Sequence, residues 1–600
     1  MSLLVSRATS SAGQEISFGK LTVLVGPNNS GKSQTLRDLR AYLTSGQAGK
    51  MKALRTVEVN LPALDAALAR VRWIPELNNP PQGSYVGVGE DLRSGANVGT
   101  QDTWLATQYG LLPGSAATIL EMFGKYWVAH LDAKSRFELT AQTPAYDLRS
   151  EAPGNAIHKL FESRSTTQDQ LRTAFKEAFD MDIGLDWAAM KNWYLRVSSD
   201  FGEIPDTSEA LNALMATAEP LELQGDGYKS FAGIALAVLT FPDRLLLLDE
   251  PEAFLHPAQA RVLGRWLALQ AAQRPGQIVV ASHSSDFLWG VLSANTSPTV
   301  LRLNRTSAAT SYHVIEAATT TGLVQSPLLS SQPVLDALFY KGVVVCEGDP
   351  DRAVYQTVAH KMLDELGGSE ILFIHTNGKG AAKTPLTLLC GAGAPACAIV
   401  DIDVINSDEP LASIVESLTT SPPDAEIARR RAQLATVVEA TSPPDLLATL
   451  VASVKAWLDE EHTDLRSSRK GLIAASEKGM SKWDAVKKQG VAFFQDADRT
   501  TADELLARMA QIGVFVVPCG ELEKWFPFMT KKGAKWNREA LEALHDDKCP
   551  AELKAFMTRV VEYLVPPALP THSATAATAV ESAPAAEAEL TRNSEPDVKI

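Results

Sequence analysis

No two cysteines in this chain are spaced C-x-x-C. The five present (Cys346, Cys390, Cys397, Cys519, Cys549) are scattered singly through 600 residues. That excludes a zinc ribbon or a dithiol redox centre and predicts reduced, mostly buried thiols. Long apolar runs are missing too. No stretch reaches bilayer-spanning length and no cationic–apolar leader opens the chain, so no membrane association and a cytoplasmic location are expected. Positive charge is scarce: 56 Lys and Arg face 71 Asp and Glu, a formal net charge of −15. A surface basic all over is excluded, and contact with nucleic acid must come from a local patch. Large apolar residues disappear from Pro566 onward, where "PPALPTHSATAATAVESAPAAEAEL" cannot bury enough surface to offset its ordering entropy. Residues 566–600 are expected to form a disordered tail.

What remains is ordinary for a globular protein, and at this length it demands more than one core. Strand-like runs followed by helical ones predict an α/β fold. A break in composition over 319–339 separates a first block, 1–325, from a second, 335–565. The first block opens with "KLTVLVGPNNSGKSQTLRDLRAYL", an apolar strand, a Gly-rich loop and a helix. Gly26 and Gly31 let the backbone N–H groups of Asn28, Asn29, Ser30 and Gly31 curl round phosphates. Lys32 reaches the β/γ-phosphates of ATP, and the Ser33 hydroxyl ligates Mg²⁺. The partner strand is "RLLLLDEPEAFLHP". Asp249 at its end is placed to hold the Mg²⁺ shell, and Glu250 to polarise the attacking water. His283, after the apolar run "QIVVAS", is placed to sense the γ-phosphate. Just upstream of Asp249, Gly225, Gly227 and Ser230 in "LQGDGYKSFAGIALAVL" open a helix, and helix N-termini bind anions. Between these motifs, 105–220 mixes helical and strand-like runs and is read as an arm or lobe insertion.

The second block puts acids at the ends of apolar strands. "GVVVCEGDPDRAVYQ" is a buried strand ending in Glu347, then a helix whose first turn carries Asp351. Asp349 and Pro350 supply helix-start chemistry. "ILFIHTNGKG" is a strand with a Gly-rich turn containing Lys379. "ACAIVDIDVIN" releases Asp401 and Asp403 from a strand end, where strand alternation would project both to one side. Acids at the carboxyl edge of neighbouring parallel strands converge. Glu347, Asp351, Asp401 and Asp403 therefore form a candidate cluster, stable only if cations neutralise it. Oxygen-only ligands select Mg²⁺ or Mn²⁺, and two such ions cut phosphodiesters.

The stretch around Gly225 resembles the signature helix of ABC-type ATPases, which completes the nucleotide site of a second subunit. A homodimer or higher even oligomer is thereby implied. The second block resembles the TOPRIM domain. Together, "GPNNSGKS", "LLLLDEPEAFLHP", "ASHSSDFL", "VVVCEGDPD", "NGKG" and "IVDID" resemble the OLD (overcoming lysogenization defect) family and the related large subunit of the Gabija antiviral system. The resemblance implies an ABC/SMC-like ATPase followed by a TOPRIM nuclease. It further implies bacterial anti-phage defence with a possible partner protein, and DNA rather than RNA as substrate. In this family a lysine near "KKQG" and the acids of "GELE" lie close to the metals, which gives Lys487 or Lys488, with Glu521 and Glu523. Two other classes stay open: a toxin-like effector cutting RNA or tRNA, and a repair ATPase whose TOPRIM domain does not cut. A largely helical insertion is expected over 404–480. Its downstream flank, 466–488, holds seven Lys or Arg against two acids and is a candidate phosphate-contacting patch.

Overall fold

The computed structural model describes all residues except 1, 50, 150, 190, 306–308, 326–333, 377, 441–443, 460–467, 470, 474–481, 528, 530–533 and 567–600. The expected tail after Pro566 lies outside the described residues, as do residues 466, 467, 470 and 474–481 of the basic flank. Residues 1–566 form one compact unit built round two main sheets.

The first main sheet has six strands, in the order Thr310–Ile315, Thr299–Arg305, Leu21–Val25, Ile278–Ala281, Leu245–Asp249 and Val128–Leu131. All neighbours run parallel except the antiparallel edge strand 310–315. Leu245–Leu248 and Leu21–Val25 are buried throughout. Such unbroken apolar runs suit strands covered on both faces. A smaller antiparallel sheet, Glu15–Ser17, Leu4–Ser10 and Leu54–Asn60, belongs to the same half.

The 105–220 interval is not one continuous insertion. Val128–Leu131 pairs in parallel with strand 245–249, with Leu247 opposite His130, and so forms the edge of the central sheet. Its four residues are too few to show a period of their own. The strands Asp182–Asp186 and Asn192–Ser198 do form a separate antiparallel sheet.

The second main sheet is wholly parallel, in the order Ile371–His375, Gly342–Cys346, Ala396–Val400, Val514–Val516. The described residues after Asp403 are helical up to Leu458: Asp408–Thr419, Ala425–Glu439 and Pro444–Leu458. The two halves are bolted together by Arg302. Only 2% exposed, it sits opposite Val25, the last residue before the phosphate loop. Its Nη1 donates to the Gly393 carbonyl at 2.7 Å and its Nη2 to the Tyr340 carbonyl at 2.9 Å. Those carbonyls lie at the roots of strands 396–400 and 342–346. All five cysteines are free thiols, with Cys346 and Cys397 fully buried. Among the described residues, no helix is long and apolar enough to cross a membrane.

Candidate active sites

The loop after strand 21–25 adopts the left-handed conformations its composition allows, with φ of 144° at Gly26, 62° at Asn29 and 105° at Gly31. A side chain at Gly26 would meet the Leu303 carbonyl at 2.4 Å, so only glycine fits there. The helix Lys32–Ser45 starts on Gly31. The Lys32 ammonium folds back over the loop, donating to the carbonyls of Gly26 at 2.6 Å and Pro27 at 2.9 Å, with Ser30 Oγ at 3.5 Å. Burial pushes its pKa down to about 8, although Glu250, Glu252 and Asp249 pull the other way. A cation held by carbonyls and starved of solvent is poised for polyphosphate.

The two motifs that lie far apart in sequence meet here. Ser33 Oγ donates to Asp249 Oδ1 at 2.8 Å, which joins the two groups expected to share Mg²⁺. Glu250 follows in a left-handed turn, φ 48°, a conformation costing a non-glycine residue about 1 to 3 kcal/mol. Its Oε1 lies 3.3 Å from His283 Nε2. Burial, and then the Lys32 charge, lower the His283 pKa. Glu252, inside the "DEPEAFLHP" stretch but not among the acids given a role there, is the half-buried acid that organises this edge. Its Oε1 accepts from Ser282 Oγ at 2.9 Å and from the His283 N–H at 2.7 Å. Its position two residues after Glu250 in "DEPE" is the signal that could have shown it. The helix Asp226–Thr240 begins at an exposed Gly225, with Gly227 packed against the Phe254 carbonyl. Ser230 is a turn further in and fully buried, so the helix start offers an exposed Gly225 and a half-buried Gly227 and excludes Ser230.

At the second sheet, Glu347 and Asp401 leave neighbouring strands at the carboxyl edge. The Asp401 N–H donates to Glu347 Oε1 at 3.0 Å. Asp401 and Asp403 do come together, but not by strand alternation. The strand stops at Val400, and Ile402–Asn406 is a 3₁₀ turn. The two acids meet on Lys487, whose Nζ lies 3.0 Å from Asp401 Oδ2 and 3.5 Å from Asp403 Oδ2. Lys487 stands on the short helix Trp483–Gln489. The loop after strand 514–516 holds that helix in place. The Val491 N–H donates to the Pro518 carbonyl at 2.8 Å, and a side chain on Gly520 (φ 108°) would meet the Lys487 carbonyl at 2.0 Å. Lys488 is exposed and forms no ion pair among the described residues, so the structure brings only Lys487 to the acids.

The helix Asp349–Met362 is capped by Gly348, one residue earlier than expected. Asp349 instead pairs with Arg352 at 2.7 Å and lies 3.6 Å from His375 Nδ1, leaving Asp351 to face the cluster. Burial, and then the Asp401 charge, push both Glu347 and Asp351 up to about 7, and Glu523 adds to the effect on Asp351. Burial also raises Asp401, against the pull of Lys487. Burial would lower Lys487, but Asp401, Asp403 and Glu347 outweigh it and hold the ammonium above its usual range. Glu521 is buried beside Glu523, which lies in the 3₁₀ turn Leu522–Trp525. Of the Gly-rich turn after strand 371–375, Asn377 and the Lys379 side chain lie outside the described residues.

Among the described residues, no three His, Cys, Asp or Glu side chains stand ready to hold a metal; the Lys487 ammonium lies against Asp401 and Asp403. The donor chemistry nevertheless fits a hard divalent cation. Glu347, Asp351, Asp401 and Asp403 offer only oxygen, and burial first, with repulsion between the carboxylates after it, raises three of the four pKa values, a cost that a divalent cation would relieve.

Comparison with known proteins gives one family match in each half of the chain. Residues 131–288 match the AAA_21 family model, described as "AAA domain, putative AbiEii toxin, Type IV TA system". Residues 338–403 match the model of the overcoming lysogenization defect protein-like TOPRIM domain. No curated protein matches the chain. Among solved structures, an SmcHead bound to the C-winged helix domain of ScpA is 12% identical, covering 52% of this chain and 97% of its own, with a TM-score of 0.31. The SMC head domain from Thermotoga maritima is 14% identical over 52% of this chain and 98% of its own, with a TM-score of 0.28. The phosphate loop lies ahead of the first family match and Lys487 beyond the second, and in both places it is the fold that brings them to the matched residues. With an ATPase domain followed by an OLD-like TOPRIM domain and the acids of each at a sheet edge, the chain has the architecture of an OLD-family ATPase–nuclease.

Proposed function

We propose that this protein is an ATP-regulated endonuclease that cuts DNA in preference to RNA, in defence of a bacterial cell against phage. The observation that carries the reading is the convergence of Glu347, Asp401, Asp403 and Lys487 at the carboxyl edge of a parallel sheet. Glu347, Asp351, Asp401 and Asp403, with Glu523 beside Asp351, would hold Mg²⁺ or Mn²⁺. Bound there, such ions supply water activation and neutralise the charge on the leaving oxygen. The chain's own residues do the rest: Lys487 holds Asp401 and Asp403 in register and presents a positive charge at the phosphodiester.

In the other half, Asn28, Asn29, Ser30, Gly31 and Lys32 would cradle ATP. Ser33 and Asp249 would hold its Mg²⁺, Glu250 would accept the proton of the attacking water, and His283 would meet the γ-phosphate. The exposed start of helix 226–240 has chemical value only against another subunit's phosphates. It supports a homodimer or higher even oligomer, within which a defence-system partner protein would act. Work in the cytoplasm suits such a role.

The test is cleavage of plasmid, linear DNA, RNA and tRNA with Mg²⁺, Mn²⁺ or EDTA, with and without ATP. Wild-type protein should nick or cut plasmid with Mn²⁺ or Mg²⁺ and stop in EDTA. Glu347→Ala and Asp401→Ala should each abolish cleavage and keep ATP hydrolysis. Cleavage that persisted in both variants would overturn the assignment. The "AbiEii toxin" wording of the first family model favours one second reading, a toxin-like RNA- or tRNA-cutting effector. Cleavage of the RNA arms alone would select it.

A further inference from the structure

Arg136 has no place in any motif, yet it is fully buried behind the ATPase acids. It stands on the helix Ala133–Leu139, whose start is fixed by a reciprocal cap. There the Asp132 side chain accepts from the Ser135 N–H at 2.8 Å, and Ser135 Oγ accepts from the Asp132 N–H at 2.8 Å. From there Nη1 donates to the Asp249 carbonyl at 2.7 Å and Nη2 to the Glu250 carbonyl at 3.1 Å. The residue between those carbonyls is the one in the left-handed turn, φ 48°. On the other side of the turn the Glu250 N–H donates to the Ala281 carbonyl at 2.8 Å. The backbone of Arg136 is itself fixed from behind, since a side chain on Gly233 of helix 226–240 would meet the Arg136 carbonyl at 2.3 Å.

A buried guanidinium needs a reason, because removing it from water is costly. Packing alone would be served by Leu or Met. A fork of donors spanning two consecutive carbonyls serves geometry instead. We propose that Arg136 is a positioning residue for ATP hydrolysis, clamping the Asp249 and Glu250 carbonyls so that the turn between them aims the Glu250 carboxylate at the water. The inference rests on the reading of Glu250 as the base. It also links the helix that opens at Gly225 to the acid edge, because that helix packs on the residue that holds the turn.

The experiment measures ATP affinity and turnover on full-length Arg136→Met, Arg136→Lys, Glu250→Gln and the Arg136→Met/Glu250→Gln double variant, with thermal unfolding of each. Arg136→Met should lower kcat at least tenfold while ATP affinity stays within twofold. Arg136→Lys, which keeps the charge and a donor, should recover part of the loss. The double variant should be no slower than Glu250→Gln. Wild-type turnover by Arg136→Met beside an inactive Glu250→Gln would overturn the clamp alone, as would a double variant slower than Glu250→Gln. Wild-type turnover by Glu250→Gln would overturn the base reading and the clamp with it. If Arg136→Met fails to fold, Arg136→Lys decides: intermediate kcat with unchanged affinity supports the clamp, and wild-type kcat overturns it.

Discussion

Lys487 and Lys488 are neighbours in the chain with different surroundings. One touches two carboxylates and the other is exposed. Lys487→Met should therefore reduce phosphodiester cleavage by about a hundredfold or more, by leaving Asp401 and Asp403 without their shared cation, whereas Lys488→Met should leave it within twofold. Equal losses in a plasmid-nicking assay would contradict this placement. A similar contrast is expected in the other half. Lys32→Ala should lose ATP binding, read by isothermal titration. Glu250→Gln should bind ATP and hydrolyse it about 10² to 10⁴ times more slowly, the usual cost of a lost general base. Sequence alone shows these residue types well, because phosphate and metal chemistry restricts the choice. It leaves the two lysines equivalent, because helical phase cannot be read across a long insertion whose end is uncertain. It also passes over Glu252, Arg136 and Arg302, whose roles are contacts with backbone groups distant in sequence.

At the scale of the element, the D-x-D is a pair, as its spacing suggests, but it is not part of a strand. A 3₁₀ turn begins after Asp401, and what unites the two acids is a lysine arriving from the far side of the insertion. Similarly, Val128–Leu131 hides inside an apparent lobe because four residues carry too little pattern to declare a sheet edge. The long buried strands 21–25, 245–249, 342–346 and 396–400 are all legible, because an unbroken apolar run ending in glycine or acid fits little besides a buried parallel strand. The close approach of Gly520 to the Lys487 carbonyl gives a prediction proper to this scale. Gly520→Ala should push helix 483–489 away and strain a left-handed residue, at a cost of about 1 to 3 kcal/mol. Denaturant unfolding should show that loss, and cleavage should fall while ATP turnover stays intact. A variant with unchanged stability and cleavage would mean that the loop does not set the helix.

For the whole molecule, the decisive contact is Arg302, which ties the strand beside the phosphate loop to the roots of both strands that end in the nuclease acids. Arg302→Met should leave ATP hydrolysis and metal-dependent cleavage each within about threefold. The response of cleavage to added nucleotide should be reduced or lost. Cleavage that still followed ATP as in the wild type would place the coupling elsewhere. The same side chain bears on how this protein can be taken apart. A boundary drawn through 326–334 looks natural in composition, yet a fragment starting there would lose the donor to the Tyr340 and Gly393 carbonyls and open to water the apolar face packed behind them. The nuclease half is thus not a cassette that could be excised or grafted onto another motor, because one apolar core runs from Val300 and Ile315 through Leu338 to Val343 and Val400. A lineage that lost the ATPase would have to make that bared apolar face polar before its nuclease could stand alone.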